Sequence, residues 1–385
     1  MRMPGRISTL LIASALLVVP WTPPAASADS VAAAAAPRLE APAAGASANL
    51  VVATFNVRNA NWSSTQPTNS REKSWDTRRA VVVSQIMGEH VDVLGVQEAT
   101  AANVTDNGPQ YLDLVAALNA AGGTYAVTNE TRYDGGEECD YVEGPIDPET
   151  GESDWTEVCH KIPDPSGDVR IIYNTQRVKL VDPIADQGAL ALDDRDTRNG
   201  SARFMAWARF TDQVTGKPFI FATGHVEPGM SKAVIATRKA QAQKIVSHLN
   251  HVVNAENLPI IWGSDLASSK LSPSKNTAYD VFLKEGGFTD PLGNTYKTKK
   301  ARTKYTYAKK IVNGKYFTLN NFKAAPDKNK RYKMGAHLDY ILIKTPGKKA
   351  TVAQWKQVLY LDKKGAFSGE IPSDHNMVAV TLALP

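Results

Sequence analysis

Residues 50–57 read Leu50-Val51-Val52-Ala53-Thr54-Phe55-Asn56-Val57, and residues 91–98 read Val91-Asp92-Val93-Leu94-Gly95-Val96-Gln97-Glu98. Both are short apolar runs, rich in β-branched residues, with amide or carboxylate side chains near their ends. Such runs predict buried strands, here Leu50 to Val57 and Val91 to Val96. Between them, Thr77 to His90 places Val83, Ile86, Met87 and His90 on one face at helical spacing. The unit therefore reads strand, helix, strand.

The alternation continues outward from this unit. Tyr111 to Ala121 predicts a second helix closed by Gly122-Gly123. Strands are expected at 169–174, 202–211 and 218–223. Ser231 is placed to cap a long helix reaching about Asn250, followed by a strand over Leu258 to Trp262. The last strands fall at 338–343 and 377–383. Residues 130–168 carry Gly, Pro and both cysteines with no periodicity, and read as an inserted loop. Strand runs mixed with helices predict a layered α/β (α+β) sandwich, as one domain over 49–385.

The chain has 385 residues, 43% of them hydrophobic, enough for a large core. Its first residues have the form of an export signal over 1–28. Arg2 and Arg6 precede an apolar stretch from Leu10 to Val19, and Ala26-Ser27-Ala28 supplies small residues for cleavage near Ala28. A retained N-terminal anchor is the alternative. Residues 29–48, rich in Ala, Pro and Ser, read as a flexible linker. The expected product is secreted. Export favours a disulfide between Cys139 and Cys159 over two free thiols.

The formal charge of +5 understates a polarised chain. Acids dominate between Glu130 and Glu157. From 296 to 333 the sign reverses, with Lys297, Lys299, Lys300, Arg302 and Lys304 among the cations and Asp327 alone opposing them. Tyr296, Tyr305, Tyr307, Tyr316, Phe317, Phe322 and Tyr332 interleave with these cations. Cations contact phosphates and aromatics stack on bases, so a nucleic-acid surface is one expectation. A solvated lysine-rich loop is the other, and an anionic membrane contact a third.

Polar residues sit at the ends of the apolar runs: Asn56, Gln97-Glu98, His225 after Phe219 to Thr223, and Asp265 after Pro259 to Trp262. Asp339 lies within His337 to Ile341, and Ser373-Asp374-His375 precedes Met377 to Val380. Strand ends can converge on one rim. Carboxylate and amide oxygens suit a hard cation such as Mg²⁺. Histidines move protons near neutral pH, and an Asp can hold one in a productive tautomer. Taken singly, each of these residues has an ordinary reading as a turn former or a surface group; their joint order does not.

That order resembles the endonuclease/exonuclease/phosphatase superfamily. The segments that carry the resemblance are Thr54 to Arg58, Trp75 to Arg79, Asp92 to Glu98, Thr223-Gly224-His225, Arg238 with Gln241, Leu338 to Ile341, and Ser373-Asp374-His375. The resemblance implies a four-layered DNase I-like sandwich of two mixed sheets flanked by helices. It implies metal ligation by Glu98 with Asn56 and Asp374, and Mg²⁺ (or Mn²⁺ or Ca²⁺) as cofactor. It assigns catalytic roles to His225, Asp265, Asp339 and His375, and substrate contacts to Tyr173 and Arg238.

One departure stands out. The family carries Gly-Asp-x-Asn where this chain reads Ser264-Asp265-Leu266-Ala267. Loss of one transition-state donor lowers rate by about 10²–10³, unless Ser264 or Ser268 replaces it. Three functions are expected in descending order: a secreted nuclease, a sphingomyelinase-like or small-molecule phosphoesterase, and a catalytically impaired binding protein. A monomer without membrane insertion is expected in each case.

Overall fold

Two β-sheets lie face to face because each carries apolar side chains on both surfaces. The computed structural model describes residues 48–130, 137–146, 153–161, 166–183, 185–193, 202–271, 277–293, 307–329 and 334–385. The export signal expected over 1–28, and nearly all of the linker to 48, lie outside them. The first sheet has seven strands, in the order Lys310–Val312, Thr351–Gln357, Val378–Ala383, Leu50–Asn56, Val93–Gln97, Arg170–Asn174 and Tyr125–Val127. The second runs Gln187–Ala191, Phe204–Asp212, Pro218–His225, Ile260–Asp265 and Asp339–Lys344, with Val178–Leu180 beside Phe204–Asp212.

Alternation along each strand divides the core into three apolar layers. Val52, Val93, Phe219, Phe221, Ile261 and Ile341 meet between the sheets. Ala53, Phe55, Leu94 and Val96 point the other way, against Val82 and Ile86 of helix Trp75–Gly88 and Leu114 and Leu118 of helix Gln110–Ala120. On the far side Ile220, Trp262 and Leu342 pack against Ile245 of helix Lys232–His248 and Phe282 of helix Thr277–Lys284. Helix, sheet, sheet, helix: the fold is the four-layered sandwich expected. Ser231 caps its helix as predicted, its side chain accepting from the Val234 amide at 3.2 Å.

The structure adds short elements that the sequence reading did not include, helix Thr277–Lys284 and strands Tyr125–Val127, Val178–Leu180, Gln187–Ala191 and Lys310–Val312 among them, and two further regions differ from it. Within 130–168, Glu137–Ile146 and Ser153–Lys161 form an antiparallel ribbon, with Cys139 opposite Cys159 in register. Polar residues at both parities leave no alternation by which to read these strands. The disulfide expected there involves side chains outside those described. Strand Thr351–Gln357 went unread because a register shift between Val352 and Gln354 breaks its period of two.

The sheets pinch together just below the ends of their central strands. A β-carbon on Gly95 would sit 2.5 Å from Thr223 Oγ1 and 3.0 Å from the Gly263 carbonyl oxygen. The Gln97 amide bridges this gap, Nε2 donating to Thr223 Oγ1 at 2.8 Å. Gly95→Ala is therefore expected to destabilise the fold by about 1–3 kcal/mol through overpacking. A denaturant midpoint unchanged from wild type would show that the sheets can separate without cost.

Candidate active site

The residues that face the opposite sheet change character along each central strand. Val52, Thr54 and Asn56 share one parity, as do Val93, Gly95 and Gln97, Phe221, Thr223 and His225, and Ile261, Gly263 and Asp265. Pairing aligns the polar ends: Asn56 with Gln97, His225 with Asp265, and Asp265 with Asp339. One rim thus collects the polar ends of both sheets.

On the first sheet, Glu98 follows its strand with φ 58°, in the left-handed region that non-glycine residues seldom occupy. Its carboxylate is held from two sides. Oε1 accepts from Asn56 Nδ2 at 2.9 Å, and Oε2 accepts from the Asn59 amide at 3.3 Å. Asn56 Oδ1 accepts from the Arg58 amide at 3.0 Å, so Asn56 orients Glu98 as much as it offers a ligand oxygen. Ser373 Oγ donates to the Asn56 carbonyl at 2.7 Å and fastens the Asp374 loop beside them. The backbone oxygen of Asp374 accepts from the Asn320 and Asn321 amides at 2.6 and 3.1 Å.

Desolvation, followed by repulsion from Asp374, pushes the Glu98 carboxyl up to about 7. Negative charge here is under-compensated, and oxygen donors surround it. A hard divalent cation fits this donor set, with Glu98 and Asp374 as its carboxylates and Asn56 beside them.

On the second sheet, His375 Nδ1 lies 3.0 Å from Asp339 Oδ2, and its Nε2 lies 3.7 Å from Asp265 Oδ2. His225 Nε2 is 3.7 Å from the same Asp265 oxygen. Burial opposes charge on His375, but Asp339 and then Asp265 outweigh it and hold its pKa well above the ordinary value. For His225, burial, Arg203 and His375 act together and hold the pKa well below it. The two histidines are thus pushed in opposite directions, His375 toward the imidazolium and His225 toward the neutral ring, a separation suited to acid–base work. Burial raises Asp265 to about 6, against the pull of His375 and with the push of Asp339. Oxygens of Asp265 and Asp339 and a His375 nitrogen lie within 4.8 Å of one another, a spacing that could also take a cation. With His375 protonated, that trio holds a proton instead.

Asn56, Glu98, His225, Asp265, Asp339, Asp374 and His375 are therefore brought together, and two other expected residues are not. Tyr173 pairs with Val93, four residues or about 13 Å along the strand from Gln97. It packs on Phe210 at 5.0 Å in the core between the sheets. Arg238 is fully buried, and its guanidinium donates to the backbone oxygens of Ala267 and Gly229. It braces the loop after Asp265 from behind and does not face the rim. Arg203 was missed: its Nη1 lies 3.0 Å from His225 Nδ1, and its Nε lies 3.5 Å from Glu227. Its position one residue before strand Phe204–Asp212, whose start lies at the His225 end, was the available signal.

The Glu98 shift has a definite pH signature. A carboxyl whose folded pKa exceeds its unfolded value stabilises the fold most below the unfolded pKa, and less as pH rises through the folded one. In chelator, wild type is expected to lose stability relative to Glu98→Gln as pH rises from 4.5 through 7. Mg²⁺ should restore stability to wild type and leave the variant unchanged. Parallel melting-temperature profiles for the two proteins would contradict the charge conflict between Glu98 and Asp374.

No protein-family model matches the sequence, and no curated protein matches it. Solved structures are similar. An endonuclease/exonuclease/phosphatase family protein from Bacteroides thetaiotaomicron matches with a TM-score of 0.55 at 20% identity, covering 88% of this chain and 98% of its own. A mannosyl-6-phosphatase from the same species matches at 0.54 and 20% identity, covering 86% and 99%. The human nocturnin catalytic domain, with bound sulfate, matches at 0.51 and 13% identity, covering 88% and 94%. Identities this low establish a shared fold.

Proposed function

We propose that this chain, whose fold is that of the endonuclease/exonuclease/phosphatase superfamily, is a metal-dependent phosphoester hydrolase that acts on nucleic acid. The observation that carries this reading is the rim itself. A cation-ready pair, Glu98 and Asp374, faces a chain of proton-handling groups: His225, Asp265, His375 and Asp339. Asp265, titrating at about 6, is suited to take the proton of an attacking water. The His375 imidazolium, locked by Asp339, neutralises a non-bridging phosphate oxygen. Neutral His225 and the Arg203 guanidinium bind the phosphate from the other side. A bound cation would supply Lewis-acid stabilisation of the phosphate and leaving oxygen.

Nucleic acid is favoured over smaller phosphoesters by the excess of lysines in 296–333, of which Lys310 and Lys315 are exposed. The interleaved aromatics support it less than the sequence suggests. Tyr316 and Phe322 are buried, and Tyr307 donates its hydroxyl proton to the Ala350 carbonyl at 2.6 Å. Tyr296, Tyr305 and Tyr332 lie outside the described residues.

The test is direct. The mature protein with Mg²⁺ is given plasmid DNA, RNA, sphingomyelin vesicles and mannose 6-phosphate, each with a chelator control and a His375→Ala control. Chelator-sensitive cleavage of DNA or RNA, absent from the variant, is expected. Intact nucleic acid beside hydrolysed lipid or sugar phosphate would overturn the choice of substrate. No turnover above the variant's on any of them would overturn the hydrolase. The reading includes export, with Asp29 expected at the N-terminus of protein recovered from the medium. It also includes a Cys139–Cys159 disulfide, expected as a 2 Da mass loss (~2, two thiol hydrogens) against reduced protein.

A further inference from the structure

We propose that Trp62 is a stacking platform for a nucleobase next to the cleaved phosphodiester; this rests on the nuclease reading above. Substrate bases need an aromatic surface open to solvent beside the rim, and the basic segment offers little among its described residues. Two aromatics are notably exposed among the described residues: Trp62 at 40% and Tyr360 at 36%. Tyr360 lies against the outer helix, its hydroxyl donating to the Ser84 carbonyl at 3.3 Å. Trp62 lies against the Arg58 guanidinium, which itself reaches Asp374 of the candidate cation site.

Its placement is tied down by the same groups that hold Glu98. Trp62 sits in the short helix Ala60–Thr65, capped by Asn59, whose side chain accepts from the Asn61 amide at 2.9 Å. The Asn59 backbone amide donates to Glu98 Oε2, and the Ala60 amide donates to Gln110 Oε1 at 3.0 Å. The helix is thus pinned to the carboxylate at one end and to the first sheet's outer helix layer beside it. Arg58 completes the link. Its guanidinium carbon lies 5.4 Å from the centroid of the Trp62 ring, over the ring. The same group reaches Asp374 at 3.8 Å and Glu72 at 2.9 Å.

The chemistry follows from this geometry. Leaving a tryptophan two-fifths exposed forgoes apolar burial that the rest of the fold secures. A cation against the ring fixes its orientation and polarises its π-system. A planar base laid on the ring extends the series of guanidinium, indole and base, while its phosphate stays within reach of the rim. Stacking of this kind tolerates any base, because every base has a π-face. Trp62 contacts no reacting atom, so its effect belongs in KM.

The experiment uses two short oligonucleotides with Mg²⁺, one normal and one with a tetrahydrofuran abasic residue next to the cleaved bond. Wild type, Trp62→Ala and Trp62→Phe are compared. Removing the base is expected to raise the wild-type KM about tenfold. Trp62→Ala should show the same increase on the normal strand and none further on the abasic one, with Trp62→Phe close to wild type. Equal KM for wild type and Trp62→Ala on the normal strand would overturn the platform. So would an equal loss on both strands, which denotes a structural role. Failure of wild type to cleave either strand overturns the nuclease reading itself, a result distinct from both.

Discussion

Glu98→Gln is expected to lower metal-dependent turnover by about 10³-fold while leaving the fold intact. The substitution keeps the shape of the side chain and, through its one amide oxygen, one of the two hydrogen bonds that the carboxylate accepts from Asn56 Nδ2 and the Asn59 amide, but removes the negative charge. The donor set then loses its principal anionic oxygen, and a divalent cation has Asp374 alone among carboxylates on that side. Electrostatic stabilisation of a phosphoryl transition state is worth several kcal/mol, and each 1.36 kcal/mol is a factor of ten in rate. Two measurements check this: kcat/KM over a Mg²⁺ titration, and Mg²⁺ affinity by calorimetry. Both should fall together. A variant with more than a tenth of wild-type activity at saturating Mg²⁺ would remove Glu98 from the centre of the site.

Ala267→Asn is expected to raise kcat by up to about 10²-fold and to stabilise the protein as well. The two gains have separate causes. Ala267 adopts φ 44°, where a β-carbon crowds the backbone and where Asn is tolerated better than most residues. That conformation is imposed from outside. The Ala267 amide donates to Asp265 Oδ1 at 2.7 Å, and its carbonyl accepts from Arg238. An asparagine can keep both contacts and add a donor two residues from Asp265, restoring the group whose loss costs about 10²–10³ in rate elsewhere. Ser264 does not fill this role. It shares a face with Trp262, its partner in register is Tyr340, and its Oγ has no hydrogen-bond partner among the described residues. A higher melting temperature with unchanged kcat would mean that relief of backbone strain is real but that the amide does not limit turnover.

These two substitutions also show how far the sequence could be read. Glu98 and Asp265 were legible because each closes an apolar run, and in a sandwich such ends must emerge at an edge. Parity does the rest: the inward positions of Val52-Thr54-Asn56 and Ile261-Gly263-Asp265 turn from apolar to polar over a few residues. Tyr173 and Arg238 misled for one reason. A residue type suited to substrate binding carries no information about its depth in the fold. Tyr173 stands at the wrong end of its strand, and Arg238, expected to contact substrate, is buried with its guanidinium on the backbone oxygens of Ala267 and Gly229.

Local chemistry and periodicity therefore determined the layered class of the fold, the strand ends that carry polar groups, and the set of residues able to handle a cation and protons. Those properties are written in contiguous stretches, where spacing along the chain is spacing along a strand or helix. Tertiary structure alone decided which strand ends face each other across the gap that Gly95 leaves between the sheets. It alone pushed the proton affinities of the two histidines in opposite directions, brought Arg203 to His225, and seated Trp62 against the Arg58 guanidinium on a helix anchored by Asn59. Each of these depends on distances between residues far apart in sequence. Burial and Coulomb interaction take their size from those distances.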